Sequence, residues 1–147
     1  MGQEYGVRYI PAMSFNGGSI LIAPTITSYT KQAPYIEQEL AKTPPIAIAS
    51  TVSIFGNITV NVTFANTSSS AISDAELYVV LYEDLGEDEH HYTVRDILEP
   101  QDIASLAAGA SQQISVTSNY NGGTANLHAV VFVKASDGEI LQAALAD

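Results

Sequence analysis

The sequence predicts a mainly β protein: an immunoglobulin-like antiparallel β-sandwich over residues 44–147, preceded by a strand–turn–strand–helix segment over residues 1–43. Three observations carry this expectation. From Ile46 onward apolar residues recur with period two, as where Ile58, Val60, Val62 and Phe64 alternate with Thr59, Asn61 and Thr63; such a strand has one buried and one wet face. About seven runs of this kind are separated by turn signals with no helical pattern between them, the signature of a two-sheet sandwich of immunoglobulin or fibronectin type. Finally, Lys42-Thr43-Pro44-Pro45 interrupts the chain. Two successive prolines cannot continue a helix and push the residue before them towards extended geometry, so the domain boundary is placed there.

Taken in order, a short charged strand runs into Ile10-Pro11, an apolar strand follows (Ala12, Met13, Ser14, Phe15), and Asn16-Gly17-Gly18 turns the chain. Asn-Gly between apolar runs is a strong hairpin signal because both residues tolerate positive φ. The partner strand is expected over 19–23 and a helix over roughly 29–42. Thr27 and Ser28 are the N-cap candidates, and Pro34 is acceptable if it falls in the first turn. Ala33, Ile36 and Leu40 would then share one face. A hairpin plus one helix buries too little apolar surface to stand alone. Further strands are expected at 47–54, 58–64, 76–82, 92–98, 112–118, 126–134 and 139–144. Turns are expected at 55–57, 65–74, 108–110, 121–123 and 137–138. Val79-Val80-Leu81 and Val130–Val133 are apolar in both parities, which assigns them to central strands. The Cys-Trp-Cys pattern of true immunoglobulin domains is absent.

Composition excludes several function classes. With 46% hydrophobic and 14% charged residues the chain is expected to be globular. Of its 16 acids only Glu4, Glu37 and Glu39 precede Ile46, and of its five bases Arg8, Lys31 and Lys42 do; the other thirteen acids face Arg95 and Lys134 alone. The whole net charge of −11 therefore belongs to the second part. Such a surface repels phosphate backbones and lacks the basic face that anionic membranes attract, so neither nucleic acid nor membrane insertion is expected. No apolar run approaches the ~20 residues that span a bilayer, and MGQEYG has no charged n-region leading into an apolar h-region. The chain contains no cysteine, which by itself fits any compartment.

Glu83, Asp84, Glu87, Asp88, Glu89, His90 and His91 form the densest ionisable cluster. Its carboxylates suit calcium and its His pair suits zinc, yet the spacing follows neither the EF-hand loop nor a four-ligand zinc pattern. The reading of these residues is a solvated acidic hairpin loop, with Glu87 to His91 as the metal-binding alternative. His128 alternates with Val130 and Phe132 and is read as a hydrogen-bonded sheet histidine. Asn57-Ile58-Thr59, Asn61-Val62-Thr63 and Asn66-Thr67-Ser68 are glycosylation sequons, in keeping with an extracytoplasmic protein. No G-x-S-x-G and no Gly-rich phosphate loop before a helix occurs.

Three stretches together resemble a family of cell-envelope thioredoxin-like proteins, described as outer-membrane lipoproteins or thiol-disulfide isomerases, in which a thioredoxin-like half precedes a β-sandwich. They are YGVRYIPAMSFNGG (residues 5–18), DEHHYTVRDIL (residues 88–98) and NLHAVVFVKASDGEILQAA (residues 126–144). The resemblance implies that residues 1–43 are the terminal ββα of a thioredoxin fold and that a Cys-x-x-Cys half precedes Tyr5. The chain would then be the C-terminal part of an extracytoplasmic or envelope protein. Ile10 and Pro11 would form the substrate-facing cis-proline region, where the Ile10 backbone can pair with an extended peptide; the plain alternative is a trans proline on an edge strand. Thiol exchange needs a thiolate, so the chain itself is expected to be non-catalytic, with the sandwich as an interaction or structural module. The rival reading is a non-enzymatic adhesive sandwich, stabilised by calcium. A ββα piece cut from its sheet exposes a strand edge and an apolar face. A homodimer or higher oligomer through residues 5–42 is therefore expected, with Ile10, Met13, Phe15, Ile20, Ile22, Ile36 and Leu40 at or near the contact.

Overall fold

The computed structural model describes residues 12–17, 20–22, 29–86, 91–123 and 125–146, which carry ten strands and one helix. The protein is mainly β and all its strand pairs are antiparallel among the described residues. The chain divides into two compact units: Met1–Thr43 with Asp137–Glu139, and Pro44–Ser136 with Ile140–Asp147.

In the first unit, β1 (Ala12–Ser14) pairs with β2 (Ile20–Ile22) in the register Ser14 to Ile20. The turn between them uses positive φ at Asn16 (51°) and Gly17 (75°). Gly17 has a second reason to be glycine: a methyl group there would collide with the carbonyl oxygen of Gly138. Helix α1 covers Tyr29–Leu40. Pro34 lies inside it rather than in the first turn, contrary to the sequence expectation, so the Thr30 carbonyl has no i+4 amide to accept from. Both residues are exposed, and water can take the place of that amide. The expected apolar face is also narrower than predicted. Ala33 and Ile36 are half-buried, whereas Leu40 is 79% exposed. Hairpin and helix are joined by the stacked rings of Phe15 and Tyr35, 5.9 Å apart, and by Asn16 Nδ2 donating to Glu39 Oε2 at 3.0 Å. Lys42 Nζ bridges Glu39 (2.8 Å) and Glu139 (2.7 Å).

The second unit holds β3 (Ile46–Ser53), β4 (Ile58–Asn66), β5 (Ile72–Glu83), β6 (Thr93–Ile97), β7 (Gln101–Leu106), β8 (Ser111–Ser118), β9 (Leu127–Lys134) and β10 (Ile140–Ala146). One sheet runs β3-β4-β8. The other runs β10-β9-β5-β6, with β7 also on β5. The twelve residues of β5 thus have two partners on one edge, β7 along its first half and β6 along its second. Period two is visible in the burial: Ile58, Val60, Val62 and Phe64 of β4 point inward, as do Ala75, Leu77, Val79 and Leu81 of β5 and Ala129, Val131 and Val133 of β9. All belong to one hydrophobic cluster shared by the two sheets. Each fully buried aliphatic or aromatic side chain there contributes roughly 1.5–3 kcal/mol.

The largest departures from expectation are the strand β7 and the start of β5. β7 falls where no strand is expected, because QDIASL offers only Ile103 and Leu106, three apart, in place of alternation; both are buried. β5 begins at Ile72, four residues before the predicted start, even though Asp74 adopts φ 55°.

Asn66, at the end of β4, is 1% exposed and fully bonded. Its Nδ2 donates to Ser70 O (2.8 Å) and Leu106 O (2.9 Å), while Oδ1 accepts from the amide (2.9 Å) and hydroxyl (2.7 Å) of Ser68. Its backbone amide donates to Ala110 O and its carbonyl accepts from Gly109 N. Asn66→Ala leaves the buried Leu106 carbonyl and the part-buried Ser68 amide without their partner and is expected to cost about 1–3 kcal/mol, read as a lower urea midpoint with unchanged slope. A change under 0.5 kcal/mol, the size usual for surface substitutions, would show that the loop carbonyls find other donors.

A candidate interaction surface

A strand facing water on one side ordinarily carries polar residues there. On β5 the outward residues are instead Tyr78, Val80 and Tyr82. Register extends this across the sheet. Val80 lies opposite Ile97 of β6 on one side and Val130 of β9 on the other, and Val130 lies opposite Leu145 of β10. The result is a transverse aliphatic row of four strands, in which Ile97 is 56% and Leu145 62% exposed. A second row is Tyr78, Phe132 and Ala143; a third is Val94, Tyr82 and His128. The rings are ordered: Tyr78 stacks on Phe132 at 4.9 Å, Tyr82 stacks on His128 at 5.4 Å, and Tyr92 meets Tyr82 edge-on at 5.6 Å.

Both ends of this face are acidic. At one end a hollow of about 500 Å³ is lined by Asp74, Glu76, Asp102 and Lys134 among others. Lys134 Nζ donates to the Tyr78 hydroxyl at 2.9 Å, and that hydroxyl donates to Glu76 Oε2 at 2.8 Å. The lysine hydrogen bond favours ionised Tyr78, but burial and the Glu76 carboxylate outweigh it, so the phenol is held above its ordinary range. Tyr82 is likewise raised, by burial first and then by Tyr92 and Asp84. At the other end lie Glu83, Asp84 and His91. Asp84 Oδ1 accepts from the Gly86 amide at 3.0 Å and sits 2.8 Å from His91 Nδ1; these two contacts, the amide foremost, hold its carboxyl below the usual range. Glu83 is bound by Arg95 (Nη2 at 2.6 Å). The two cations of the second unit are therefore both engaged by its own groups, and the carboxylate excess is left to solvent.

Of the sequence-predicted site residues, Ile10, Pro11, Glu87, Asp88, Glu89 and His90 lie outside the described residues. His91 is described and is held by Asp84. Among the described residues no group of three or more His, Asp or Glu is arranged to hold a metal ion. His128 is given a ring partner, Tyr82, where the sequence reading assigned it a hydrogen bond. The outer face itself was in view in the sequence as the doubly apolar runs of β5 and β9, taken there as a sign of central strands only.

These features define a class: a two-sheet antiparallel β protein with an apolar, aromatic outer face between acidic ends. In fold, the chain is similar to a domain of the outer membrane lipoprotein Omp28 from Porphyromonas gingivalis, with TM-score 0.51 and 14% identity over 72% of this chain and 89% of that one. Slighter likenesses join it to the alkylpurine DNA glycosylase AlkC of Pseudomonas fluorescens (TM-score 0.45, 18% identity, 79% of this chain, 33% of that one). Another is to the β-glucosidase DesR of Streptomyces venezuelae (0.40, 17%, 69% and 14%). Likeness of that size says nothing of function. No family model matches the chain, and no curated protein does.

Asp84 offers a direct check of the loop geometry. A folded pKa below the unfolded one means the Gly86 and His91 contacts favour the fold above the ordinary Asp range and lose that effect as pH falls through the depressed value. Carbon-detected NMR titration should place Asp84 below an ordinary Asp. His91→Ala should return it only part of the way, because the Gly86 amide remains.

Proposed function

We propose that this chain is a non-catalytic interaction module of an extracytoplasmic, cell-envelope protein. Its outer face, in this reading, receives a cationic, partly apolar stretch of a partner polypeptide. The observation that carries the reading is the aliphatic row Ile97–Val80–Val130–Leu145, half exposed across four strands. Burying such a patch favours association, and acidic groups at both ends select a basic partner. A second copy is disfavoured on this face, since each chain carries a net −11. The envelope location is supported by the lipoprotein-domain likeness.

The finer fold reading is an immunoglobulin-like sandwich. Its support is the strand order: β3-β4-β8 corresponds to strands A, B and E, and β10-β9-β5-β6 to G, F, C and C′. The reading of residues 1–43 as the end of a thioredoxin-like fold is supported by their hairpin–helix order. A parent with Cys-x-x-Cys would supply thiol-disulfide exchange that this cysteine-free chain lacks.

A synthetic peptide alternating Lys with Val tests the outer face. Its amide-shift perturbations should map to β5, β6, β9 and β10, weaken with salt, and vanish in Ile97→Glu and Leu145→Glu variants. Equal binding of the Glu-for-Lys peptide, or shifts elsewhere, would refute the reading. Self-association is assigned to residues 5–42 instead, where two acids meet three bases, so that no like-charge excess comparable to that of the second unit opposes it, and Leu40 is exposed. Light scattering at micromolar concentration should give twice the 15.6 kDa chain mass; a monomer would rule this out.

A further inference from the structure

The three sequons stand in different places in the fold. Asn66 is buried and donates both hydrogens of its amide nitrogen, to the carbonyls of Ser70 and Leu106, so a sugar there would break these bonds and require burial. Asn61 is half-buried in β4, between β3 and β8, and its side-chain oxygen accepts from Ser115 Oγ at 2.6 Å. Asn57 is exposed in the turn between β3 and β4, directly after Gly56 at φ 80°. Two residues before it stands Phe55, 94% exposed, the most exposed of the chain's large apolar side chains among the described residues.

We infer that Asn57 is a glycan attachment site, and that the first sugar lies against the Phe55 ring. The inference rests on the extracytoplasmic part of the reading above. The donor is an oligosaccharide linked through phosphate to a polyprenyl lipid. The Asn57 amide nitrogen displaces the lipid phosphate from C1 of the first sugar: an N–C bond forms, the C–O bond breaks, and the amide proton is released as the lipid phosphate departs. Thr59 supplies the sequon hydroxyl. Thr59 pairs with Ser53 and Thr117 in the folded sheet, so transfer precedes closure of the first residues of β4. The finished fold then tolerates a glycan at Asn57, where the chain is open to solvent. The apolar face of a sugar ring covers Phe55, giving an otherwise wet aromatic a partner.

Intact-mass and peptide mapping of the full protein from its native cells is the test, alongside protease protection to place it inside or outside the membrane. The expected result is a mass above that of the polypeptide by one oligosaccharide, on Asn57. It is lost in Asn57→Gln and Thr59→Ala and kept in Thr59→Ser. Enzymatic removal of the glycan should lower the melting temperature, and Phe55→Ala should abolish that difference. A protein outside the membrane that is unmodified, or modified at Asn61 or Asn66, overturns the inference alone. An unmodified protein inside the cell overturns the inference and the assigned location together.

Discussion

The two sheets stack on a shared apolar cluster, and a single polar side chain, Asn66, anchors the loops that pass between them. The chain crosses between the two sheets three times, after β4, after β7 and after β8, and the first two crossings meet at Asn66. Its amide holds the start of the first crossing through Ser68 and Ser70, and the start of the second through the Leu106 carbonyl. Loops that cross between sheets leave backbone groups without ladder partners. An asparagine, with two donors and an acceptor on a short stem, satisfies several of them at once. A hydrophobic residue continuing the alternation of β4 would fill the position and leave the loops unanchored.

Given that stacking, the core uses one parity of β5 and β9 and leaves the other to the outside. Both parities are apolar, so the second set forms a face that solvent does not favour. Charge decides what that face can accept. The aliphatic row is neutral, its ends are acidic, and the two basic side chains of the unit are tied to Glu83 and to Tyr78 with Glu76. In the proposed reading, copies of the chain repel one another across it, while a basic segment gains on both counts.

Much of this could be read from the residues, and the exceptions have physical causes. The alternation in β4 and the Asn16-Gly17 turn follow from local chemistry that the tertiary structure reinforces. The hidden strand β7 has two core residues three apart, a pattern that only pairing with β5 turns into a strand. Pro34 within the helix shows that an exposed carbonyl can give up its partner to water at tolerable cost. Asn66 reads as a sequon in one dimension and as a buried hub in three, because burial and partners come from loops four and forty residues away. The outer face illustrates the same limit: two-sided apolarity marks a central strand, but whether a further layer covers the second side depends on what else the chain provides.

The divided edge of β5 bears on how such a face can persist in contact with water. An exposed apolar sheet invites neighbouring molecules to add strands to it, and the usual outcome is a growing cross-β stack. Here the edge beyond β5 consists of two short strands, five and six residues long, broken by Glu99 and Pro100. The ladder is further displaced by a register shift beside Tyr82, and that of β10 by one beside Leu141. Along that edge of the five-stranded sheet a foreign strand finds no straight run of free amides and carbonyls long enough to extend. An apolar face can thus be bordered by an edge that offers no template for added strands.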